Sequence, residues 1–310
     1  VNRIWAVGSR LDLISNQQTA KLQPHSRFDR NVRAFGGHVQ GTLNDLRVAV
    51  VGAGGTGSSV AEQLARLGVR NLLIIDPDTL TESNTTRVYG STSGDVGLPK
   101  AEVLAAWLRR IGPNSSVQAR VGTITNERTA RELLEADVVF GCTDDNGGRL
   151  VLSRLSSFAM VPVIDCGVLI TSDESDQITG IHGRVTILVP GVACLVCRNR
   201  IDLSRARAEA LAEDEHRRLA AEGYAPALPG VEPAVVSFTT QVAATAVAEL
   251  VERLVRYGPE PVPSEVLLRL HDREISTNEQ LPRARHYCDM HDGKVGRGDT
   301  QPFLEQTWRG

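Results

Sequence analysis

The chain has 310 residues, and 34 lysines and arginines against 37 aspartates and glutamates give it a formal net charge of −3. This near balance provides no basic surface of the kind that binds nucleic acid or an anionic membrane. Hydrophobic residues make up 41% of the chain and aromatic residues 4%, a composition that excludes disordered and collagen-like proteins. No apolar run approaches the roughly 18 residues that span a bilayer, and the N-terminus has no apolar signal core.

Both ends of the chain are predicted to lie outside the main domain. Residue 1 is Val rather than Met, which favours a fragment or a processed product. Residues 1–26 hold one short apolar patch and then turn polar, so we interpret them as a linker or the remnant of an upstream domain. Residues 27–292 are predicted to form the main domain. Residues 293–310 lack periodicity and are expected to be a flexible tail.

From Leu46 the pattern becomes a β-branched strand, a glycine turn, an amphipathic helix that Gly68 closes, and a second strand ending in Asp76. This is a βαβ unit, whose crossover should be right-handed. Further helices are predicted at 100–110, 127–136 and 150–160, and buried strands at 116–121, 136–142 and 161–167. Such alternation predicts an α/β fold with a doubly wound, Rossmann-like, mostly parallel sheet.

After Thr171 the pattern shifts. Residues 181–189 alternate and predict an antiparallel extension of the sheet. Residues 204–222 are dense in both charges and indicate a solvated helix or a mobile excursion. A long helix is predicted within 235–258, with alanines that allow another helix to approach closely, and a final strand within 265–272.

The glycine turn carries the first functional signal. Gly52, Gly54 and Gly57 satisfy the G-x-G-x-x-G pattern between a strand and a helix, and Asp76 ends the next strand. Glycines allow a tight turn and close approach to phosphate oxygens, and the helix N-terminus supplies free N–H groups. The pattern predicts nucleotide binding, and a nicotinamide-dependent dehydrogenase is the default interpretation of this motif alone.

The long segment between Asp76 and the next helix favours a different nucleotide. It contains Asn84, Arg87 and Lys100, polar and cationic groups able to gather on a phosphate chain. Asp144 follows a buried strand at the carboxyl end, where a carboxylate beside phosphates is suited to Mg²⁺. Together these groups indicate a triphosphate and metal site, although each alone is also compatible with a solvated loop residue.

Four segments carry a resemblance to a known family: GAGGTG, IIDPDTLTESNTTR, the Gly-Leu-Pro-Lys before a helix, and CTDD. They resemble the E1-like ThiF/MoeB/HesA adenylyltransferases, which activate the C-terminal carboxylate of ubiquitin-like or sulfur-carrier proteins. The similarity runs from about Arg27 to His291. It implies attack by a terminal carboxylate on the α-phosphate of ATP, with pyrophosphate leaving. The protein then supplies positioning and electrostatic stabilisation.

The resemblance also implies roles for individual residues. The implied ATP-binding residues are Gly52, Gly54, Gly55, Gly57, Asp76, Asp78, Asn84, Arg87, Lys100 and Asp144. Asp76 is expected to bind the ribose, and Asp144 to hold Mg²⁺. The implied catalytic residues are Arg87, Lys100, Asp144 and Arg30, the last reaching into the partner subunit of a homodimer. Two positions depart from the family pattern, since Asp145 replaces an Asn and Thr85-Thr86 replaces Leu-Gln.

The cysteines are too few, and odd in number, for a disulfide scaffold, which favours a reducing compartment and predicts a cytoplasmic protein. Cys194-Leu-Val-Cys197 and Cys288-Asp-Met-His291 share a two-residue gap, which predicts a Cys₃His zinc knuckle near the C-terminus. A redox pair and a degenerate, metal-free site remain alternatives. Cys142 and Cys166 are interpreted as core thiols, with Cys166 as a minor candidate acceptor.

We therefore expect an ATP-, Mg²⁺- and Zn²⁺-dependent adenylyltransferase whose partner is a ubiquitin-like or sulfur-carrier protein with a Gly-Gly-type end. Three alternatives stay open. They are a peptide-activating relative from natural-product biosynthesis, a scaffold that binds nucleotide without turnover, and a nicotinamide oxidoreductase. Some longer relatives carry a JAB-type metalloprotease domain ahead of the E1-like half, and residues 1–26 resemble the end of such a domain.

Overall fold

The computed structural model describes residues 3–15, 26–112, 115–175, 177–211, 218, 233–292, 294–298, 303, 306 and 308. Ten strands lie within these residues: β1 Arg3–Val7, β2 Leu11–Ser15, β3 Arg47–Val51, β4 Asn71–Asp76, β5 Ser116–Val121, β6 Val138–Gly141, β7 Val163–Ser172, β8 Ile178–Leu188, β9 Glu265–Arg269 and β10 Glu274–Asn278. The α-helices of the same residues are α1 Asp29–Asp45, α2 Gly55–Leu67, α3 Lys100–Ile111, α4 Glu127–Glu132, α5 Asn146–Phe158, α6 Leu203–Glu209 and α7 Val236–Val255.

The main sheet has the strand order β10-β9-β8-β7-β6-β3-β4-β5. Strands β3 to β7 pair in parallel, and β8, β9 and β10 continue the sheet in antiparallel fashion. The chain steps outward from β3 in one direction through β4 and in the other through β6. Ligands of open α/β sheets bind at such a switch point, outside the carboxyl ends of the strands. The predicted doubly wound sheet with an antiparallel extension is confirmed.

Strand β3 shows why this sheet is covered on both faces. Val48 and Val50 pack into one apolar cluster with residues of α2, α3 and α7, while Ala49 and Val51 pack into a second cluster with residues of α5. Because successive side chains of a strand point to opposite faces, a continuous apolar run requires apolar partners on both sides. Helix α2 ends at Gly68, whose left-handed φ of 99° closes it as the sequence predicts.

Two of the differences between the predicted and the observed elements have a clear structural cause. Helix α5 begins at Asn146, four residues before the predicted start at 150, because Asp145 caps it by accepting a hydrogen bond from the Gly148 backbone N–H. The strand predicted within 265–272 is not the last one, since β10 follows it and pairs with it at the edge of the sheet. Strand β10 has mostly polar and exposed residues, so it carries no buried alternation for a sequence pattern to detect.

The N-terminal residues contain an antiparallel hairpin, β1–β2, that the sequence does not predict. Trp5 Nε1 donates to the backbone oxygen of Asp137 at 2.8 Å, and Leu11 is buried with the main core. Arg256 Nη2 lies 2.7 Å from Asp12 Oδ2 across the same contact. The hairpin therefore packs directly on the α/β body. The assignment of residues 1–26 to an upstream remnant or linker stays a prediction.

The end of the chain and the charged segment are described only in part. Gly296 N–H donates to Ser157 O at 3.0 Å, and Phe303 is buried in the cluster that also contains α5 residues. The described tail residues thus contact α5, while the rest of the predicted flexible tail at 293–310 lies outside the described ranges. Of the predicted excursion at 204–222, the structure describes residues 204–211, which include all of α6 except its first residue, and residue 218.

None of the helices in the described residues is both long and apolar enough to cross a bilayer.

Candidate active site

The glycine turn between β3 and α2 is packed too tightly for side chains at two positions. Gly52 has a φ of 92°, and a Cβ on it would lie 2.5 Å from the backbone oxygen of Cys142. A Cβ on Gly57 would lie 1.7 Å from the backbone oxygen of Gly52. The turn delivers the chain into α2, which begins at Gly55, so the first amides of this helix face the carboxyl end of the sheet.

Asp76 ties the end of β4 to this turn. Its Oδ2 accepts a hydrogen bond from Ala53 N at 2.6 Å, and its Oδ1 accepts one from Asp78 N at 2.9 Å. Burial raises the pKa of Asp76, and the two backbone donors oppose that rise. Each carboxylate oxygen keeps further acceptor capacity, so the predicted contact with ribose hydroxyls is chemically possible at this position.

Lys100 and Asp78 form the next part of the site. Lys100 is the first residue of α3, and its Nζ lies 2.8 Å from Asp78 Oδ2. The backbone of the two residues is also paired, because Lys100 N donates to Asp78 O at 2.9 Å. The structure therefore brings Asp76, Asp78 and Lys100 together, and Lys100 would pair with a phosphate that displaces the Asp78 carboxylate.

Arg87 reaches the start of α2 from the long loop. Its Cδ lies 3.3 Å from the position that a Cβ on Gly55 would occupy, and its Nη1 donates to Ser83 O at 2.9 Å. Asn84 is buried, and its Oδ1 accepts from Thr81 N at 3.2 Å, which closes the short 3-10 turn Glu82–Thr86 ahead of Arg87. Asn84 thus holds the turn that presents Arg87 to the N-terminus of α2.

Asp144 lies at the predicted edge of the sheet, in the loop after β6. It is exposed, and within the described part of the chain its carboxylate has no hydrogen-bond or ion-pair partner. The loop touches the glycine turn, because a Cβ on Gly52 would lie 3.2 Å from Thr143 N. Asp145 instead accepts from Thr143 Oγ1 and Gly148 N, which makes it the cap of α5. The departure at position 145 therefore has a structural role.

Arg30 does not join these residues within one chain. It lies exposed in the first turn of α1. Its predicted role in a partner subunit stays a prediction.

Glu209 also belongs to this region, although no pattern in the sequence predicts it. Glu209 Oε2 accepts from Gly147 N at 2.8 Å, and Glu209 Oε1 accepts from Asn146 Nδ2 at 3.0 Å, both at the N-terminus of α5. Asn146 Oδ1 also accepts from Asp202 N at 3.0 Å. These contacts fix α6 against the loop that carries Asp144. No local signal marks them, because Glu209 is 63 residues away from Asn146 in the sequence.

We expect Glu209→Ala to lower the free energy of unfolding by about 1–2 kcal/mol, since it leaves two donors at the N-terminus of α5 without their acceptor. Denaturant titration measures this change. Glu132→Ala is the matched control, because Glu132 forms a surface ion pair with Arg120 that contributes about 0–1 kcal/mol. Equal losses in both variants would contradict the assigned contact.

The cysteine cluster forms a second site, away from the glycine turn. Cys194, Cys197, Cys288 and His286 place their ligand atoms within 4.8 Å of one another. Cys197 Sγ lies 3.6 Å from Cys288 Sγ, and Cys194 Sγ lies 3.6 Å from His286 Nδ1. Ligand atoms around a tetrahedral zinc lie about 3.5–3.8 Å apart, so this donor set fits the metal in number, type and spacing.

The prediction that His291 is the fourth zinc ligand is wrong. His291 lies exposed in the 3-10 turn Met290–Asp292, where its backbone N–H donates to Asp289 Oδ1 at 3.1 Å. His286 stands in its place, with Nδ1 3.1 Å from Cys288 Sγ and its ring packed against that of Tyr287, 4.1 Å between centroids and tilted by 39°. His286 precedes Cys288 as His-Tyr-Cys in the sequence. This spacing does not repeat the two-residue gap of Cys194-Leu-Val-Cys197, so the repeat does not indicate His286 as a ligand.

The cysteines of the cluster differ in the direction in which their surroundings shift the thiol pKa. A hydrogen bond from Cys288, followed by others from His286 and Tyr287, lowers the pKa of Cys194 to about 4 against the effect of burial. The same contact raises the pKa of Cys288. Metal binding requires the thiolate form of cysteine, which a lowered pKa favours.

We expect His286→Ala to lose stoichiometric zinc and His291→Ala to retain it. The reason is that only His286 lies within reach of the three sulfur atoms. Metal analysis of protein purified without added zinc measures the content, and Cys197→Ser is the positive control for loss. Retention of zinc by His286→Ala together with loss by His291→Ala would restore the original assignment.

Comparison with known proteins places this arrangement in a family. The profile of the ThiF family matches residues 28–289. The chain is 32% identical over 173 residues to the SAMP-activating enzyme E1 of Haloferax volcanii, covering 55% of this chain and 60% of that enzyme. It is 30% identical over 179 residues to the molybdopterin-synthase adenylyltransferase of Escherichia coli, covering 56% of this chain and 68% of that protein.

A solved structure has the same fold. The chain matches E. coli MccB, in a crystal structure with AMPCPP and MccA, with a TM-score of 0.64 at 18% identity, covering 86% of this chain and 74% of MccB. The glycine turn, the loop cations and Asp144 thus lie on a fold shared with E1-like enzymes, as the resemblance implied. Because the family profile extends over most of the chain, the protein belongs to the ThiF family of E1-like adenylyltransferases.

Proposed function

We propose that this chain adenylates the terminal carboxylate of a ubiquitin-like or sulfur-carrier protein with ATP and releases pyrophosphate. The proposal is carried by the contacts around the glycine turn. Arg87 lies against the N-terminus of α2, and the loop that bears Asp144 lies against the turn itself. An exposed carboxylate and a guanidinium beside a helix N-terminus suit a metal-bound phosphate chain rather than a nicotinamide ring.

The proposed role of the site residues is electrostatic, and none of them forms a covalent bond with the substrate. Two anions must meet, because a carboxylate attacks an α-phosphate. Arg87 and Lys100 lower the repulsion and stabilise the negative charge that moves onto the departing pyrophosphate. Asp144 would hold Mg²⁺, which supplies further screening of the phosphate oxygens. The buried Asp76 orients the nucleotide by accepting from its ribose.

The proposed carrier class is supported by the names of the relatives. One activates SAMP and another is the adenylyltransferase for molybdopterin synthase. A third similar protein, the tRNA threonylcarbamoyladenosine dehydratase of E. coli, is 36% identical over 105 residues and covers 34% of this chain and 39% of that protein.

The reaction is proposed to stop at the acyl-adenylate or to pass it to an external nucleophile. Cys166 is buried, with 3% of its surface exposed, so it is poorly placed to accept an acyl group. Cys194, Cys197 and Cys288 are buried in the cluster that fits zinc. That zinc is proposed to be structural, because it would join the segment after β8 to the segment after β10.

A homodimer is proposed because Arg30 is exposed near an open groove. The groove, of about 490 Å³, is lined by Asn31 on α1, by residues of α2, and by small residues of α7 such as Ala244 and Ala248. A second copy seated there would carry its own Arg30 close to the first copy. Sedimentation of wild type and Ala248→Arg measures this association.

Trapping of the adenylate tests the proposed function. The protein is incubated with ATP, Mg²⁺ and diglycine-ended carrier proteins, and mass spectrometry detects a carrier carrying one AMP. An adenylated carrier is the expected result. Absence of any adenylate, together with NADH binding stronger than ATP binding in fluorescence titrations, would replace the proposal with a nicotinamide oxidoreductase.

A further inference from the structure

The loop that carries Arg87 must be fastened to the body of the protein before its cation can serve a phosphate chain. Arg87 directly follows the 3-10 turn Glu82–Thr86, and Asn84 closes that turn from within. Closing the turn sets its shape but does not fix its position over α2. A long arginine side chain also loses conformational entropy when it is held in one place. The contacts that fix the loop therefore decide how well Arg87 is placed.

Tyr89, two residues after Arg87, ties the loop to two helices at once. Its backbone N–H donates a hydrogen bond to the Oγ of Ser58, a buried residue of α2, at 3.0 Å. Its Oη lies 3.0 Å from Oγ1 of Thr240 on α7, which is a hydrogen-bonding distance between two hydroxyl groups. One residue thus spans α2 and α7 through one backbone contact and one side-chain contact.

The same two helices enclose the side chain of Arg87. A Cβ on Gly55 would lie 3.3 Å from Arg87 Cδ and 3.1 Å from Oγ1 of Thr239, the residue of α7 that precedes the partner of Tyr89. Gly55 is the first residue of α2, and Ser58 lies almost one turn further along it. Arg87 and Tyr89 therefore contact the same corner of the fold, where α2 begins beside α7.

The backbone around Tyr89 is held by apolar contacts that do not involve its hydroxyl. Val88 is buried beside Val103 of α3. Gly90 has a φ of 78°, and a Cβ on it would overlap the ring of Trp107, also on α3. These contacts remain when the Tyr89 hydroxyl is removed. Tyr89→Phe therefore deletes one hydrogen bond to α7 and leaves the path of the loop in place.

We propose that Tyr89 is a positioning residue for ATP binding, and that its contact with Thr240 holds the Arg87 guanidinium at the N-terminus of α2. The inference rests on the proposed function and names a residue on which its phosphate contacts depend. Tyr89 itself touches no phosphate and acts through Arg87. Electrostatic stabilisation requires charges that are fixed before the ligand arrives, so a cation on a loosened loop stabilises a phosphate chain less well.

Two probes separate the phosphate chain from the rest of the nucleotide. Calorimetric titration measures binding of a non-hydrolysable ATP analogue with Mg²⁺, and ligand-observed NMR measures binding of adenosine, which carries no phosphate. Tyr89→Phe is expected to weaken binding of the analogue about fivefold, the effect of one neutral hydrogen bond. Binding of adenosine is expected to stay as in wild type. A general loosening of the site would weaken both.

Thr240→Val removes the same contact from the other side, and it is expected to weaken binding of the analogue by the same factor. Tyr257→Phe is the matched control. Tyr257 Oη donates to Ala248 O at 3.2 Å, so this variant also removes a phenol hydroxyl that bonds α7. Ala248 lies eight residues after Thr240, about 12 Å along the helix. Tyr257→Phe should therefore bind the analogue as wild type does.

A double-mutant cycle with Arg87→Gln tests whether Tyr89 acts through the cation. Arg87→Gln alone is expected to weaken binding of the analogue, and adding Tyr89→Phe to it is expected to change binding no further. A residue with a merely structural role would weaken binding by the same factor in both backgrounds. Thermal unfolding of all variants confirms that each is folded before binding is compared.

The outcomes distinguish this inference from the proposed function. If wild type binds the analogue and Tyr89→Phe binds it equally well, the positioning role is overturned and the adenylyltransferase proposal stands. The same holds if Tyr89→Phe weakens adenosine and analogue alike, or if its effect persists in full beside Arg87→Gln. If wild type does not bind the ATP analogue, the proposed function fails and the positioning role fails with it.

Discussion

Gly57→Ala is expected to abolish ATP binding and to lower the free energy of unfolding by about 3 kcal/mol or more. The added methyl group would occupy a position 1.7 Å from the backbone oxygen of Gly52 and 3.2 Å from Cys142 Cβ. No rotamer change relieves a clash with backbone, so the turn and the start of α2 must move apart. Displacement of the turn removes the amides that would face the phosphates.

Gly54→Ala, three residues before Gly57 in the same turn, is the matched control. A Cβ on Gly54 meets nothing within 4 Å, and its φ of −73° is one that alanine adopts readily. Denaturant titration should therefore give a free energy of unfolding near that of wild type. Calorimetric titration with the ATP analogue then isolates binding. Equal stability of Gly57→Ala and Gly54→Ala would contradict the packing described for the turn.

Asp144→Ala is expected to lower the rate of carrier-dependent ATP–pyrophosphate exchange by about a hundredfold or more, the size typical of removing one electrostatic group from a reaction centre. Because the Asp144 side chain is exposed and unpaired in the described chain, its loss leaves no buried group without a partner. The loss of activity should then come without a loss of stability. A shift of the Mg²⁺ dependence to higher concentration would accompany it if Asp144 holds the metal.

Asp272→Ala provides the comparison for this change. Asp272 lies at the turn between β9 and β10, on the antiparallel extension, where its carboxylate is 52% exposed. Removing it changes the net charge equally and leaves the switch-point edge untouched. If Asp144→Ala exchanges pyrophosphate with ATP as fast as wild type, the proposed metal role is excluded. If both variants lose the same share of this rate, the loss is a general effect of charge.

The sequence predicted those parts of the fold whose signals are local. The strand β3, the turn from Gly52 to Gly57 and the cap at Gly68 follow one another without interruption, so each signal supports the next. Helix α3 and strand β5 likewise match their predicted ranges. By contrast, β1, β2 and β10 were not predicted, because short strands at an edge bury too little of either face to impose a pattern.

The residues of the candidate sites also fall into those with a local sequence signal and those that only the folded chain brings together. The sequence by itself determined the family and the glycine turn, and it predicts Arg87, Lys100 and Asp144 as phosphate-site residues, since they follow the carboxyl ends of strands β4 and β6. Only the tertiary structure decided which histidine joins the cysteines. His286 and His291 lie two residues before and three after Cys288, and spacing cannot tell which ring the fold turns toward the sulfur atoms.

Tertiary structure also decided where charge accumulates. Arg149, Asp165 and Arg184 belong to three different elements, and each alone has the sequence context of an ordinary helix or strand residue. They meet because β7 and β8 pair in a register that sets Asp165 opposite Thr186, with α5 packed over that face. Such contacts depend on strand register and helix packing across the sheet, and the local pattern of the sequence encodes neither at short range.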